Sequence, residues 1–201
     1  MIKWIFFSLL FLVACATEPK IQDSAMAGIP VPSGSYSEVL EKWTDSAKNY
    51  SNFSSTFQAT ATFLAPEVLE HQVYVDAKEY SWTEEKFRSE RQNILSKAET
   101  SAIVFIDFYT EKDENNNLGE SKSDWNVFLE SDGKRVVTSS VKRLRDTKLQ
   151  LLEKYPYHNH WSRPYLLTFP ISSTIASGGP LLLIISGPAG SARLNFPKKN
   201  N

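Results

Sequence analysis

Helical periods of apolar residues dominate the first hundred positions and are interrupted by one alternating segment. One stripe at helical spacing predicts an amphipathic helix over residues 36–52 that packs on the domain core; it consists of Tyr36, Val39, Leu40, Trp43, Ala47 and Tyr50. Apolar and polar residues then alternate over residues 53–63, which predicts a strand with one polar, Thr-rich face. Pro66 suits the first turn of a second helix over residues 66–78.

A third helix is predicted to begin near Ser81, and two residues compete for its N-cap. Ser81 together with Glu84 matches a capping box. Thr83 as the N-cap would instead place Trp82 and Phe87 at the two positions of a hydrophobic staple. The sequence does not decide between these caps.

Short strand patterns separated by turn residues follow in the second half. The apolar run at residues 102–106 predicts a strand covered on both faces, and the polar residues 111–123 predict a long loop. Asp132-Gly133 is a hairpin signal between two alternating stretches. Residues 141–155 fit either a short helix or an irregular connection. Three further strands are predicted within Tyr165–Phe169, Leu181–Ser186 and Ala192–Phe196.

Helices that precede a series of short strands predict an α+β fold. We expect an antiparallel β-sandwich, Ig-like or C2-like, with two to three helices in the N-terminal half. Residues 36–201 are expected to form this single globular domain, since their number is ordinary for one domain.

The first fifteen residues have the pattern of an export signal. Lys3 precedes an apolar run from Trp4 to Val13, which is shorter than the roughly 20 residues that cross a bilayer. The run ends in Leu12-Val13-Ala14-Cys15, and this stretch resembles the signal peptide and lipobox of bacterial lipoproteins. The resemblance implies that residues 1–14 are removed. It also implies that Cys15 becomes the mature N-terminus, diacylated on sulfur. An ordinary signal peptide with a chance cysteine is the alternative.

The residues after the lipobox bear on location. Ala16 stands where Gram-negative lipoproteins retained in the inner membrane usually carry Asp. The resemblance therefore implies a lipid-anchored protein of the cell envelope, in the outer membrane, facing the periplasm or the cell surface. Together with Cys15, the Pro-, Gly- and Ser-containing residues 16–35 predict a flexible tether, with a typical end-to-end distance of about 25 Å.

Composition excludes several classes of function. Removal of residues 1–14 takes away Lys3 and no acid, so the formal net charge of −1 becomes about −2. This balance provides no basic surface for nucleic acid. Cys15 is the one cysteine, so its lipidation would leave no thiol for a disulfide, a zinc site or nucleophilic catalysis. We find no cofactor motif and expect no cofactor.

An aromatic segment between residues 155 and 165 contains the candidate binding residues. Exposed aromatic rings with polar neighbours suit a glycan or a protein partner from the envelope. The residues proposed for such contacts are Tyr157, His158, His160, Trp161 and Arg163. The alternative is that Trp161 and Tyr165 are core residues of a strand.

Two other candidates have weaker patterns. Asp113, Asn115 and Asn117 place oxygen ligands at every second position, as in a calcium loop, but Gly119 lies one position too late. A solvated loop is the alternative. His158 and His160 could serve a hydrolase if the fold supplied a carboxylate, although no third metal ligand lies nearby in sequence. The leading hypothesis is a non-enzymatic binding or structural module, with a hydrolase or a calcium-modulated module as alternatives.

Overall fold

The computed structural model describes residues 26, 28–51, 54–119, 122–145 and 148–198. The predicted signal peptide, the lipobox cysteine and most of the predicted tether lie outside the described residues, as does Phe53.

The described residues form five helices and nine strands. The helices are α1 (Tyr36–Trp43), α2 (Pro66–Glu79), α3 (Glu84–Thr100), α4 (Lys148–Lys154) and α5 (Ser173–Ser177). The strands are β1 (Thr44–Ser51), β2 (Ser54–Phe63), β3 (Ala102–Thr110), β4 (Asn126–Ser131), β5 (Lys134–Val137), β6 (Ser140–Arg143), β7 (Arg163–Phe169), β8 (Leu181–Gly187) and β9 (Gly190–Phe196).

The strands form two antiparallel sheets. The first sheet has the order β1-β2-β3-β7-β6, and the second has the order β5-β4-β8-β9. The apolar run that predicted a doubly covered strand is β3, at the centre of the first sheet. The α+β class with antiparallel sheets is thus confirmed. The expected number of helices is too low, because α4 and α5 lie in the C-terminal half.

One hydrophobic core contains side chains from both sheets. Phe63 of β2 contacts Phe196 of β9 with ring centroids 6.1 Å apart. Trp125, directly before β4, contacts Phe57 and Phe108 of the first sheet with centroids 5.4 and 4.9 Å apart. Full burial of one such side chain contributes about 1.5–3 kcal/mol, so these aromatic contacts are a main source of stability.

Side chains also link the two sheets at the edge where β1 lies beside β9. Asp45 Oδ2 accepts a hydrogen bond of 2.8 Å from the backbone N–H of Asn195. Asn49 Nδ2 donates to the carbonyl of Ser191 at 2.9 Å. A Cβ atom at Gly190 would lie 2.3 Å from Asn49 Nδ2, so this close approach requires glycine. Edge strand β1 is therefore tied to the second sheet through its side chains.

The helix predicted over residues 36–52 is wrong in its second half. Ser35 caps α1 by accepting from Glu38 N–H at 3.3 Å, and the helix ends at Trp43. Residues 44–51 instead form β1, in which Ala47 pairs with Ala59 of β2. The apolar stripe is sparse after Trp43, and Thr, Ser and Asn are weak helix formers. Backbone pairing with β2 therefore decides the conformation of this segment.

The third helix begins at the second of its two candidate caps. Thr83 Oγ1 accepts from Lys86 N–H at 3.3 Å, which makes Thr83 the N-cap of α3.

The hairpin prediction is also confirmed, since Asp132 and Gly133 have φ angles of 49° and 73° between β4 and β5. Two positive φ values are what a two-residue type I′ turn requires.

Part of the segment predicted as a tether contacts the helices. Ile29 is 7% exposed and shares a small apolar cluster with Val73, Ala77 and Phe87 of α2 and α3. The backbone carbonyl of Ser33 lies 3.1 Å from Nε2 of His71. The packed part of the chain therefore begins before residue 36.

Candidate binding site on the outer face of the first sheet

The first sheet has an inner face toward the second sheet and an outer face that carries the candidate site. Phe108 of β3 points inward to Trp125. Because side chains alternate along a strand, Phe105, Asp107 and Tyr109 of β3 belong to the outer face. Residues 155–162, here called the aromatic loop, lie across this face between α4 and β7.

Stacking and hydrogen bonds hold the start of the aromatic loop. The ring of Tyr155 stacks on Phe105 with centroids 3.5 Å apart and planes inclined by 4°. Its hydroxyl accepts from Gln72 Nε2 of α2 at 3.1 Å. The hydroxyls of Tyr157 and Thr62 lie 2.5 Å apart. These contacts attach the loop to the sheet and to α2 at the same time.

A buried carboxylate on β3 holds the remainder of the loop. Asp107 Oδ1 lies 2.7 Å from Nδ1 of His158, and Asp107 Oδ2 accepts from Ser162 Oγ at 2.5 Å. The side chains of Asp107 and His158 are 3% and 8% exposed. Asp107 thus binds both ends of the turn that contains residues 159–161, and the turn is held rigidly.

The order of these contacts differs from that of a nucleophilic triad. In a triad the imidazole takes the proton of the serine hydroxyl, and the carboxylate orients the imidazole. Here Ser162 donates directly to Asp107. His160 is exposed and lies beside the Trp161 ring, with centroids 4.3 Å apart. Asp107 is the carboxylate that the hydrolase hypothesis requires beside His158, but the nearby serine hydroxyl donates to that carboxylate and not to the imidazole.

Trp161 projects from the held turn into solvent. The residue is 71% exposed, whereas Tyr165 is buried in the core. Trp161 N–H donates to Oδ1 of Asn159 at 2.9 Å, which fixes the backbone beneath the ring. The interpretation of Trp161 as a core residue is therefore wrong, and that of Tyr165 is right.

A depression of 440 Å³, here called the polar depression, lies beside Trp161. Five residues from β2, β3 and the aromatic loop line it, namely Ser55, Gln58, Tyr109, Asn159 and Trp161. All five side chains are uncharged at neutral pH. The depression combines one exposed indole with two amides and two hydroxyls.

Arg163, a further predicted binding residue, is engaged within the protein. Its Nη2 lies 2.5 Å from each carboxylate oxygen of Asp113, and its Nη1 donates to the carbonyl of Asn116 at 2.6 Å. Asn116 is 2% exposed and also accepts from the Tyr165 hydroxyl. Asn116 Nδ2 donates in turn to the carbonyl of Phe108. Arg163 therefore fastens the polar loop at residues 111–119 to the first sheet.

The side chains of two of the three candidate calcium ligands, Asp113 and Asn117, have partners within the protein. Asp113 faces the Arg163 guanidinium, and Asn117 Oδ1 accepts from Ser123 Oγ at 3.2 Å. The backbone carbonyl of Asn115 accepts from Trp125 Nε1 at 2.7 Å. No group of three His, Cys, Asp or Glu side chains suited to a metal occurs in the described parts of the chain. These contacts favour a loop held by protein groups over a calcium site.

The predicted site residues thus have three different environments. Tyr157 and His158 hold the loop from inside, His160 and Trp161 face solvent, and Arg163 binds the neighbouring loop. No sequence pattern singles out Asp107, Asn116 or the residues of β2 and β3 in the polar depression as site residues. The alternating pattern does place Gln58 on the polar face of its strand. Proximity of that face to Asn159 and Trp161 arises from the tertiary fold.

Comparisons with protein-family models, with curated proteins and with solved structures found no match. Over the residues that the structure describes, no helix is both long enough and apolar enough to cross a membrane.

Replacement of Asp107 by Ala is expected to lower the free energy of unfolding by roughly 3 kcal/mol, because the buried His158 loses its acceptor and the Ser162 hydroxyl keeps only the carbonyl of Asn159. Urea denaturation followed by far-UV circular dichroism measures this loss. The control is Asp113→Ala, which removes an exposed carboxylate from Arg163 and should cost at most about 1 kcal/mol. Equal losses in both variants would contradict the anchoring role.

The stability of the domain should decline steeply at alkaline pH. Burial raises the pKa of the Tyr157 phenol well above its usual value, and burial likewise raises the pKa of Tyr36. The unfolded chain therefore loses these protons at about pH 10, while the folded chain keeps them. The free energy of unfolding is retained below about pH 10 and falls as the pH rises further.

Tyr157→Phe should make the alkaline decline in stability shallower, since it removes a buried phenol whose pKa is raised. Urea midpoints measured between about pH 8 and 11 test this expectation. The matched control is Tyr50→Phe, which removes an exposed hydroxyl and should keep the wild-type slope. A wild-type slope in Tyr157→Phe would refute the assignment.

Proposed function

We propose that this protein is a membrane-anchored cell-envelope lipoprotein whose domain is a non-catalytic binding or structural module for a protein or glycan partner. The lipid on Cys15 would fix the location, and the outer face of the first sheet would provide the specificity. The anchor hypothesis is supported by the resemblance of Leu12-Val13-Ala14-Cys15 to a lipobox. Two acyl chains contribute about 0.8 kcal/mol for each buried CH₂, which gives stable attachment.

The exposure of Trp161 is the observation that carries the binding hypothesis. Trp161 is 71% exposed, although the loop beneath it is held by the buried Asp107. A large aromatic ring on a preorganised backbone loses little conformational entropy when a partner binds. This combination supports recognition at the aromatic loop rather than a role in the core.

The non-catalytic part of the proposal is supported by the arrangement around His158. Two groups near the imidazole could cooperate with it in catalysis, namely Asp107 and Ser162. The Ser162 hydroxyl instead donates a hydrogen bond to the Asp107 carboxylate. The closed cluster leaves the serine hydroxyl directed at a carboxylate, where it stabilises the loop.

The proposal also includes the way in which the two sheets pack against each other. Two antiparallel sheets that share one aromatic core are what a β-sandwich requires. We propose an arrangement of the Ig-like or C2-like kind, with α1, α2 and α3 in the N-terminal half. The location within the envelope follows from Ala16 after the lipidated cysteine and is proposed to be the outer membrane, facing the periplasm or the cell surface.

Anchoring is tested by Cys15→Ser in the full chain expressed in a bacterial host. The wild-type protein should incorporate a labelled fatty acid and sediment with membranes. The variant should lose the label and appear in the supernatant, because no other acceptor thiol is present in the sequence. Membrane sedimentation and labelling that persist in Cys15→Ser would remove the anchor from the proposal.

Binding is tested by Trp161→Ala, with Tyr80→Ala as a control for another exposed aromatic ring. Trp161→Ala should keep the wild-type free energy of unfolding within about 0.5 kcal/mol, because its ring is at the surface. Tyr80→Ala also loses the hydrogen bond from Gln150 and should cost about 1 kcal/mol. Capture experiments with envelope extracts, analysed for both proteins and glycans, should show a partner that Trp161→Ala loses and Tyr80→Ala keeps. No captured partner, or capture unaffected by Trp161→Ala, would count against the binding module.

A further inference from the structure

We infer that the polar depression binds an uncharged saccharide, with one sugar ring against the exposed face of Trp161. This inference rests on the proposed function, of which it specifies the ligand and the site. It follows from the geometry of the lining residues, from their unused hydrogen-bonding groups and from the absence of charge among them.

The lining residues come from two strands and one held loop. Gln58 of β2 and Tyr109 of β3 are register partners, so they are direct neighbours on the outer face of the first sheet. Ser55 adjoins them, and its hydroxyl accepts from Gln58 Nε2 at 3.1 Å. Asn159 and Trp161 are contributed by the aromatic loop. The depression therefore has a floor formed by the sheet beside an aromatic ring from the loop.

Several polar atoms in the depression retain hydrogen-bonding capacity. Gln58 uses its Nε2 toward Ser55, and Asn159 uses its Oδ1 toward the backbone of Trp161. Within the described residues, Gln58 Oε1, Asn159 Nδ2 and the Tyr109 hydroxyl have no hydrogen-bond partner. They provide one acceptor, one donor group and one group that can act as either. Sugar hydroxyls both donate and accept, so they complement this mixed set.

The indole provides the second kind of contact that a sugar needs. One face of a pyranose ring presents a patch of C–H bonds, which are weakly positive and pack on the negative face of an aromatic ring. Trp161 is 71% exposed and is backed by the rigid contacts of Asn159, Ser162 and Asp107. A stacked sugar would therefore meet a preorganised ring.

Size and charge favour a saccharide over the other classes of ligand. A volume of 440 Å³ lies within the range of roughly 300–1,000 Å³ typical of small-ligand sites. Stable protein interfaces instead bury about 800 Å² on each partner and have an apolar centre. Among the exposed large apolar side chains of the described residues, Trp161 alone lines the depression. The uncharged lining provides no counter-ion for an acidic or basic ligand.

The test uses the detergent-solubilised full chain and three uncharged tetrasaccharides that differ in linkage or in ring substituent: maltotetraose, cellotetraose and tetra-N-acetylchitotetraose. Isothermal titration calorimetry should show saturable binding of at least one of them. Trp161→Ala should weaken this binding about tenfold or more, Gln58→Ala should weaken it several-fold, and Tyr80→Ala should leave it unchanged. The affinity should be the same at low and high salt, because no ion pair is formed.

Three results would overturn the inference: no binding of any tetrasaccharide, binding that Trp161→Ala leaves intact, or binding whose affinity falls steeply with added salt. Failure of the saccharide inference is distinguishable from failure of the proposed function. If no sugar binds but Trp161→Ala still abolishes capture of an envelope protein, the saccharide inference is wrong and the binding module stands. If a sugar binds through Trp161 while Cys15→Ser leaves membrane attachment intact, the saccharide site stands and the lipid anchor falls.

Discussion

The hydrogen bonds of the Asp107 carboxylate are the constraint on which the candidate site depends. A carboxylate in the middle of a buried strand is expensive unless its oxygens are satisfied, and here His158 and Ser162 satisfy both. In return, the turn between these two residues has a fixed position over the sheet. The desolvation of one acid is thereby coupled to the placement of Trp161, which is itself at the surface.

Sequence patterns predicted the elements best where burial and local chemistry agreed. The alternation in β2 and the Asp132-Gly133 turn were read correctly, because a pleated strand and a type I′ turn leave direct traces in residue type. The local apolar pattern over residues 44–51 predicts a helix, but these residues form edge strand β1. The strand depends on pairing with β2, and a local pattern contains no information about that pairing. The small helices α4 and α5 are too short for a reliable period.

The site could be predicted only in part, and for a related reason. The residue types of Trp161 and its neighbours predict a binding surface. Whether the indole lies in the core or at the surface depends on which strands lie beneath it. Asp107 and His158 are 51 residues apart in the chain, and no sequence signal connects them. Gln58 and Tyr109 reach the same depression through the register of β2 with β3. Site formation is thus a consequence of sheet topology.

The side-chain hydrogen bonds between β1 and β9 affect how readily another strand can add to this edge. A strand at the edge of a sheet offers unpaired backbone groups to any extended segment that approaches, and this is a common route to aggregation. At this edge, Asp45 and Asn49 reach across to the backbone of β9 and draw the two sheets together. On a membrane, where the proposed lipid anchor would concentrate the molecules, these two contacts would leave fewer free backbone groups on β9 for an approaching strand.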